Sequence, residues 1–575
     1  MDILLKLNSL EDTPENRTAM ENKFRTGGYH VKLALDPSIQ SEVEETLQTW
    51  DKYPALKEPS DKAARSKNGD GTYTEIIQPQ AACVVLDYRT GEIKAVVGSR
   101  DQVTSRKTLN RATDMKMPVG SSIKPISVYA PALELGCSPA SIAYNMPIPI
   151  NGWKDSNGND SWPRNYGGGS YLGPETLRTG MSKSHNTSAA YTLLGKVGVE
   201  RSVDFLHRLG IDDAHIDATP FGLALGSSGI TPMQMTVAFG VLANGGIYQQ
   251  PISVLGISDS TGAVIWDGHQ QQTRRLVFKE STAYMIVDML KTVIASGTGT
   301  SARIKGQTVA GKTGTNSDNR GVTFAGMTGY YASALWVGHD NYKQLSSRAT
   351  GSSAAAPLWK EYMSRIHEGL PNKDILDGDP SAYGLVKVTT CAVSGQLATD
   401  ACMNDAMGYG VVTDYWAEGT QPTEYCQMHT TQTVCADTGM MATQYCPNPV
   451  ERGVVTIPFG HPLYQFIGTR YQDVLDQYLG PGASSAAVLC TLHYAGGESG
   501  TSPYTEALTE DARTLLASAQ DMLAGMDPAS PGYQAIATAA QYLSEVLSQP
   551  SPSQDDVVSA MSGLTQAMAG GYPQE

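Results

Sequence analysis

The stretch that most constrains this chain runs from Met117 to Pro125, where a glycine-led turn continues into an apolar segment. If the residues after Gly120 are helical, Ser121 and Lys124 lie on one face within reach of each other. The amine can then accept the serine proton. Free backbone N–H groups and the positive dipole of a first helical turn favour an oxyanion on the carbonyl under attack. The segment predicts a serine nucleophile with a lysine base, although chance alone also supplies such pairs in a long chain.

Two further motifs follow in the sequence. Ser184-x-Asn186 lies in residues 177–197, which are predicted to form one helix. The second motif, Lys-Thr-Gly-Thr at 312–315, ends a predicted strand that pairs with residues 323–338. Each motif alone is typical of a polar helix surface or an ordinary turn. In this order, the three motifs supply the parts for penicillin-sensitive acyl transfer.

Hydrophobic patterning predicts the elements around these motifs. Apolar runs at 81–86 and 93–97 flank Thr90-Gly91 and predict a hairpin. Thr231 and Pro232 predict the start of a helix that runs to residue 243, and residues 281–295 predict another. Residues 147–173 are rich in glycine and asparagine, which predicts a surface loop walling a cleft.

Over roughly residues 28 to 365 the chain resembles the transpeptidase domain of class A penicillin-binding proteins. The three motifs and several flanking segments carry the resemblance, namely Gly28-Tyr29-His30-Val31, Leu35-Asp36-Pro37, Pro79-Gln80-Ala81, Asn110-Arg111-Ala112, Asn165-Tyr166-Gly167-Gly168, Thr231-Pro232, Ala243-Asn244-Gly245-Gly246 and Trp336-Val337-Gly338. It implies an α/β (α+β) fold of the penicillin-recognising serine transpeptidase type, with an antiparallel sheet flanked by helices. One departure is Pro118-Val119-Gly120, where the family pattern has proline directly before the glycine.

The resemblance implies a catalytic role for the first two motifs. Ser121 attacks the carbonyl of the penultimate D-alanine of a stem peptide, and Lys124 is its base. Burial beside a second cation is expected to lower the pKa of Lys124 and leave it partly neutral. Ser184 relays the proton to the leaving D-alanine, and Asn186 holds Lys124 and the substrate amide. The oxyanion sits between the backbone N–H groups of Ser121 and Thr315.

The resemblance assigns substrate binding to the third motif. Lys312, also counted among the catalytic residues, binds the terminal carboxylate of the peptide or of a β-lactam together with Thr313 and Thr315. Gly314 lacks a side chain and lets the substrate lie along the strand edge. His185 is expected to point away from Ser184 and Asn186 on a continuous helix, as a bystander. No cofactor is required for this chemistry.

Six of the eight cysteines lie in a duplicated segment between residues 391 and 490. The pattern Cys-x10-Cys occurs twice, and each copy is followed by Cys-x-x-His, so the repeat is internal. Each copy offers three thiols and one imidazole, which matches a tetrahedral zinc set. The two sets are Cys391, Cys402, Cys426 and His429, then Cys435, Cys446, Cys490 and His493.

The extracellular compartment that the resemblance implies argues against zinc at these cysteines. An enzyme that acts on the cell wall works outside the cell, where disulfides or free thiols are favoured. The expected disulfides are Cys391–Cys402 and Cys435–Cys446, with Cys426 and Cys490 left over or paired with each other. Cys83 and Cys137, in apolar segments, are expected to be small buried hydrophobes.

Composition divides the chain into four segments. Residues 1–75 form a linker or pedestal, 76–375 the penicillin-binding transpeptidase domain, 380–495 the duplicated accessory module and 505–575 a three-helix module. Residues 496–502 read as a Gly/Ser linker. The tail resembles the FIVAR repeats of bacterial surface proteins, which suggests a spacer or a contact with a wall polymer. A solvated helical appendage without a binding role explains the same pattern equally well.

The formal net charge of -15 argues against nucleic acid or an anionic bilayer as a partner. No apolar run approaches the roughly 18 residues that span a bilayer, and residues 1–28 lack the layout of a secretion signal. The resemblance implies work at the outer face of the cytoplasmic membrane or in the cell wall. Relatives of this type begin with a membrane helix and a glycosyltransferase domain, so a piece of a longer chain and a transpeptidase-only form both fit.

Three functions compete. The leading hypothesis is a D,D-transpeptidase that crosslinks peptidoglycan stem peptides ending in D-Ala-D-Ala and is acylated by β-lactams. A D,D-carboxypeptidase or β-lactamase shares the motifs but transfers the acyl group to water, and no deacylating glutamate is evident in the sequence. A non-catalytic sensor of β-lactams or muropeptides is the third hypothesis.

Overall fold

The chain divides into two units, which are described separately. The first unit is Met1–Val388 with Thr413–Gln421, and the second is Thr389–Val412 with Pro422–Glu575. The structure is a computed structural model. It describes all residues except 68–72, 103–107, 148–161, 169–170, 481–488, 491, 494–502, 550–553 and 571–575.

The first unit mixes short strands with helices. Its strands are β1 (His30–Leu33), β2 (Ala63–Lys67), β3 (Tyr73–Ile77), β4 (Gln80–Asp87), β5 (Glu92–Val97), β6 (Ile142–Asn145), β7 (Gly173–Thr176), β8 (Ile247–Gln249), β9 (Val254–Ser258), β10 (Val264–Asp267), β11 (Arg274–Leu276), β12 (Val309–Thr315), β13 (Gly321–Thr328) and β14 (Ala332–Gly338). Its helices are α1 (Asp2–Leu7), α2 (Pro14–Thr26), α3 (Pro37–Thr49), α4 (Ala130–Glu134), α5 (Leu177–Ser182), α6 (Asn186–Thr192), α7 (Val199–Arg208), α8 (Pro220–Leu225), α9 (Pro232–Ala243), α10 (Glu280–Ser296) and α11 (Ala356–Ile366).

A five-stranded antiparallel sheet in the order β12-β13-β14-β4-β5 forms the centre of this unit. Alternate residues of β4 face opposite sides, as the two-residue period of a strand requires. Val84 and Leu86 pack into one apolar cluster, while Cys83 and Val85 pack into another. The first cluster contains α9, and the second contains α3 and α11. The sheet is therefore the middle of three layers, with β12 at its edge.

Several predicted elements are present in the structure. The hairpin at Thr90-Gly91 joins β4 to β5, and the strands expected around residues 308–338 are β12, β13 and β14. Helix α9 begins where predicted, because the Thr231 hydroxyl accepts a hydrogen bond from the Gln234 N–H and Pro232 opens the helix. The helix predicted at 281–295 is α10.

The segment predicted as a linker or pedestal, residues 1–75, contributes to the core. Strand β1 pairs with β9. Helix α3 carries Ile39, Val43 and Leu47 at four-residue spacing, and all three are buried against the central sheet. The prediction misses this packing because a mostly polar segment needs only one apolar stripe to dock.

Strands β15 (Leu385–Cys391) and β16 (Val411–Ala417) pair with each other. The remaining elements of the second unit are α12 (Asp400–Met403), β17 (His429–Cys435), β18 (Pro449–Val455), α13 (Gln472–Leu479), α14 (Pro503–Ala524), α15 (Pro531–Leu547) and α16 (Gln554–Gly570). Helices α14, α15 and α16 share an apolar cluster that includes Leu543, Val557 and Leu564. The predicted linker at 496–502 lies outside the described residues. Among the helices of the described residues, none is both long and apolar enough to cross a membrane.

Candidate active site

The predicted nucleophile lies on a turn that requires glycine. Ser121 is the second residue of a 3-10 helix, Gly120–Ile123, so its N–H has no acceptor within that helix. Gly120 has φ +59°, and a Cβ there would lie 2.4 Å from the Thr315 carbonyl oxygen. The Gly226 carbonyl accepts from the Gly120 N–H at 3.0 Å. A Cβ on Gly226 would lie 2.0 Å from the Gly120 oxygen. The turn is therefore fixed between the end of β12 and Gly226.

The neighbouring serine is locked away from the cleft. The Ser122 hydroxyl donates to the Val119 carbonyl at 2.8 Å and lies 2.9 Å from the Thr323 hydroxyl, with no exposed surface. Gly314 faces the same turn, since a Cβ there would lie 2.1 Å from the Val119 oxygen. The expected role of Gly314 in letting substrate lie along the strand edge stays a prediction. The missing side chain of Gly314 lets β12 pack against the turn that carries Ser121.

Lys124 follows Ser121 by one 3-10 turn, and residues three apart eclipse in that geometry. Its amine donates to the Ser184 carbonyl at 2.8 Å, to the His185 carbonyl at 3.3 Å and to Asn186 Oδ1 at 2.7 Å. The side chain is fully buried. Burial, with the positive charge of Lys312 as a second cause, holds the pKa of Lys124 well below 10.5. The expected lowering of this pKa is thus supported, and a neutral amine can serve as a base.

Lys312 is the second buried cation. Its amine donates to the Ser184 hydroxyl at 2.8 Å and to the Thr313 carbonyl at 3.0 Å. Burial lowers the pKa of Lys312 to about 7. The Lys312 side chain has no exposed surface, so its link to the cleft is the hydrogen bond to the Ser184 hydroxyl. The expectation that Lys312 contacts a substrate carboxylate directly is not supported by this position.

The segment around Ser184 differs from the predicted continuous helix. Helix α5 ends at Ser182, α6 begins at Asn186, and Ser184 has φ +62°. In an uninterrupted helix the Ser184 and His185 carbonyls would bond to the N–H four residues later. The break leaves the Ser184 carbonyl free to accept from Lys124, while the His185 carbonyl accepts both from Lys124 and from the Ala189 N–H at 3.4 Å.

A buried polar network supports Asn186. Its N–H donates to Asn165 Oδ1 at 2.9 Å, and Asn165 Nδ2 donates to Asn145 Oδ1 at 2.8 Å. Asn145 Nδ2 donates to Glu175 Oε1 at 3.2 Å, and His185 Nδ1 lies 2.8 Å from Glu175 Oε2. His185 is therefore not a bystander. No sequence spacing links Asn145 and Glu175 to the motifs, so neither residue could be found from the sequence.

A cleft of about 690 Å³ opens beside Ser121. Thr313 and Thr298 meet through their hydroxyls at 2.7 Å on its wall, and the Thr315 hydroxyl accepts from the Gly351 N–H at 3.0 Å. The residues that line the cleft include Ser121, Asn165, Tyr166, Leu172, Ser184, His185, Asn186, Phe221, Thr298, Thr313, Thr315 and Asp318. Three of them, Asn165, Tyr166 and Leu172, belong to the predicted wall at 147–173, of which 148–161 and 169–170 lie outside the described residues.

Two family models match the chain. The penicillin binding protein transpeptidase domain matches residues 81–364, which hold all three motifs and the central sheet. Residues 81–364 are a penicillin-binding protein transpeptidase domain. The predicted fold class is confirmed, and the domain is that of a serine D,D-transpeptidase. The penicillin-binding protein 1A C-terminal domain matches residues 383–431.

Relatives agree with this assignment. Penicillin-binding protein 1A of Clostridium botulinum is 32% identical over 439 residues, which cover 75% of this chain and 50% of the relative. Penicillin-binding protein 1A of Clostridium perfringens is 31% identical over 419 residues, which cover 72% and 48%. The chain therefore spans about half the length of these relatives.

Solved structures show the same fold. Penicillin-Binding Protein 1A from Haemophilus influenzae has a TM-score of 0.56 at 22% identity, covering 72% of this chain and 77% of that one. The PonA1 protein from Mycobacterium tuberculosis in complex with penicillin V has a TM-score of 0.52 at 21% identity, covering 66% and 94%.

Outside the transpeptidase domain, the structure gathers the repeated cysteines into two clusters. In each, the three thiol sulfurs and one imidazole nitrogen lie within 4.8 Å of one another. All eight cysteines of the chain are free thiols in the structure, and the expected disulfides Cys391–Cys402 and Cys435–Cys446 stay predictions. Cys426 and Cys490 lie in different clusters, each beside the histidine of its own copy, so the expected pairing between them is wrong. Cys83 is buried and Cys137 half-buried, in keeping with their apolar surroundings.

Proposed function

We propose that the chain crosslinks peptidoglycan by transferring a stem-peptide acyl group from Ser121 to an amine. One observation carries the proposal: Lys124, Ser184, Asn186 and Lys312 form a single hydrogen-bonded chain, with both lysines buried, at the cleft that Ser121 lines. The members come from three motifs that lie far apart in the sequence, so only the folded chain assembles the set.

In the proposed acylation, neutral Lys124 accepts the proton of the Ser121 hydroxyl as its oxygen attacks the carbonyl of the penultimate D-alanine. The backbone N–H groups of Ser121 and Thr315 hold the oxyanion. The proton then passes through the Ser184 hydroxyl to the departing D-alanine amine. The hydrogen bond from Lys312 to that hydroxyl, at 2.8 Å, orients it for the transfer. The D-alanine leaves, and the acyl group stays on Ser121.

The proposed binding site for the substrate peptide is the free edge of β12. Because β12 is the outermost strand of its sheet, an extended peptide can lie along it and pair with its backbone. The hydroxyls of Thr313 and Thr315 are placed to receive the terminal carboxylate, and the charge of Lys312 lies behind them. A β-lactam carries a carboxylate in the same relation to its reactive carbonyl, so it acylates Ser121 in place of the peptide.

The character of the cleft favours transfer to an amine over hydrolysis. Among the described residues that line it, Asp318 is the one carboxylate. It lies in the short 3-10 segment Ser317–Asn319, and its side chain is 61% exposed in its ion pair with Arg320. In the described lining, a deacylating water therefore has no buried carboxylate to activate it. The proposed reaction belongs outside the cytoplasm, where the peptidoglycan lies.

The nucleophile is tested with a fluorescent penicillin. Ser121→Ala should abolish covalent labelling. Ser122→Ala is the matched control, because its hydroxyl bonds only inward, and it should keep labelling. Persistent labelling of Ser121→Ala would show that another residue is the nucleophile.

The reaction type is tested with a D-Ala-D-Ala donor peptide and candidate amine acceptors, followed by mass spectrometry. Crosslinked peptide supports transpeptidation. Hydrolysed donor alone would make the chain a D,D-carboxypeptidase, and an acyl-enzyme that never turns over would make it a sensor.

A further inference from the structure

The second unit contains two groups of ligand atoms with the geometry of a metal site. In the first group, His429 Nδ1 lies 3.3 Å from Cys391 Sγ and 3.6 Å from Cys426 Sγ, and Cys402 Sγ completes the set within 4.8 Å. A tetrahedral zinc ion with bonds of about 2.0–2.3 Å places its ligand atoms about 3.5–3.8 Å apart. The four atoms therefore surround a point at which one ion fits.

The second group repeats this arrangement. His493 Nδ1 lies 3.3 Å from Cys435 Sγ and 3.4 Å from Cys490 Sγ, with Cys446 Sγ within 4.8 Å. The thiols of both groups are buried. Three buried thiols and an imidazole nitrogen that face a common centre are what a metal ion requires, and apolar packing of the thiols alone does not place the polar imidazole nitrogen among them.

Equivalent backbone contacts hold the two groups. The N–H groups of Cys391 and Cys435 each donate at 2.7 Å to the carbonyl five residues later. In the first group, the Val393 and Ser394 N–H groups both donate to Cys391 Sγ at 3.4 Å. In the second, the Thr443 N–H donates to Cys446 Sγ at 3.3 Å. N–H donors aimed at sulfur stabilise the thiolate, which is the form that binds zinc.

Each histidine also has a carboxylate behind it. His429 Nε2 lies 3.3 Å from Asp405 Oδ1, and His493 Nε2 lies 3.3 Å from Asp437 Oδ2. Such a carboxylate fixes the ring so that Nδ1 keeps its lone pair for the metal. Asp405 follows the second cysteine of its copy and Asp437 follows the first, so the sequence repeat alone does not explain why both copies have one.

The stoichiometry favours a metal over disulfides. A disulfide uses two thiols, so each group would be left with one thiol and one imidazole unused, whereas a single ion uses all four. The apolar cluster around the second group is small, with Met440 and Ala442 packed on the three cysteines. A segment with so small a core needs a crosslink or an ion to hold its fold. Strand β17 begins at His429 and ends at Cys435, so one strand joins the two groups.

We propose that the second unit binds two structural zinc ions, one at Cys391, Cys402, Cys426 and His429 and one at Cys435, Cys446, Cys490 and His493. All protein ligands are present in each site, so the ions have no open position and hold the fold without taking part in catalysis. The proposal is independent of the transpeptidase activity.

Elemental analysis of the full chain, purified without chelator, tests the proposal. The expected result is two zinc ions per chain. Cys402→Ser and Cys446→Ser should each retain one, His429→Cys should retain two, and the matched control Cys137→Ser should retain two. Labelling by a fluorescent penicillin reports that the first unit is folded in every variant.

Several outcomes would overturn the proposal. Zinc-free protein whose intact mass is lower by two hydrogens per disulfide would show that the thiols are oxidised, and iron in place of zinc would refute the assignment of the metal. Two zinc ions in Cys402→Ser would exclude the first site. If the variants do not accumulate, cobalt replaces zinc in the unaltered chain. Absence of sulfur-to-cobalt charge-transfer absorption would then refute thiolate ligation.

Discussion

Replacing Lys312 by methionine removes a buried cation and keeps a side chain of similar length. Burial lowers the pKa of Lys312 from 10.5 to about 7. Since one pKa unit corresponds to about 1.4 kcal/mol, the protonated lysine costs the folded state up to about 5 kcal/mol. The variant also removes the positive charge of Lys312, which is one cause of the lowered pKa of Lys124, so the pKa of Lys124 should rise. We therefore expect Lys312→Met to stabilise the transpeptidase domain and to slow its acylation, because the Ser184 hydroxyl loses its donor.

The sign of the pH dependence follows from proton binding. Between pH 7 and 10.5 the unfolded chain keeps the Lys312 proton and the folded chain loses it, so the free energy of unfolding of the unaltered chain rises with pH. The destabilisation of the folded state by protonated Lys312 has its full value below pH 7 and vanishes toward pH 10.5. The stability advantage of Lys312→Met should therefore be largest at low pH and shrink by up to about 5 kcal/mol as the pH rises through this window.

Urea unfolding followed by tryptophan fluorescence measures this difference. All seven tryptophans lie in the first unit, so the signal reports the transpeptidase domain and not the second unit. Lys360→Met, at an exposed position on α11, is the matched control and should show no pH-dependent difference. If the variant and the unaltered chain differ by the same amount at every pH, Lys312 is not held neutral by burial and the argument fails.

Two further substitutions test the packing and the base. Gly314→Ala places a Cβ against the Val119 oxygen, so it should lower the free energy of unfolding by about 1–3 kcal/mol and slow penicillin labelling. Gly195→Ala, where a Cβ makes only an ordinary contact of 3.9 Å with Tyr191, should do neither. Wild-type stability in Gly314→Ala would contradict the packing. Asn186→Asp places a carboxylate 2.7 Å from the Lys124 amine and should raise its pKa, which moves the rising limb of the acylation rate to higher pH. An unmoved pH profile would exclude Lys124 as the base.

The transpeptidase motifs could be predicted from the sequence because their chemistry depends on short spacings. Lys124 is the third residue after Ser121, and that spacing places both on one side of any tight helix. The cysteine repeat was equally visible, because a duplication leaves matching residues at fixed distances. Capping at Thr231 and the hairpin at Thr90-Gly91 are also local, and the structure confirms both.

Features that join distant segments could not be predicted in this way. Glu175 and Asn145 support Asn186 from other elements, and no spacing along the chain marks them. The role of Gly314 is visible only against Val119, nearly two hundred residues earlier. The helix predicted through Ser184 breaks there, and the break leaves the Ser184 carbonyl free to accept from Lys124, which comes from a segment sixty residues earlier.

The sequence by itself determined the family of the domain, the candidate nucleophile and the composition of the two cysteine groups, because these depend on residue types at short separations. Tertiary structure alone decided that Lys124 and Lys312 are buried together, that Ser122 is locked inward and that each group of three thiols faces one imidazole. The physical reason is the same in each case. Burial, and with it pKa and ligand geometry, is a property of the surroundings of a residue, and those surroundings come from parts of the chain that meet only after folding.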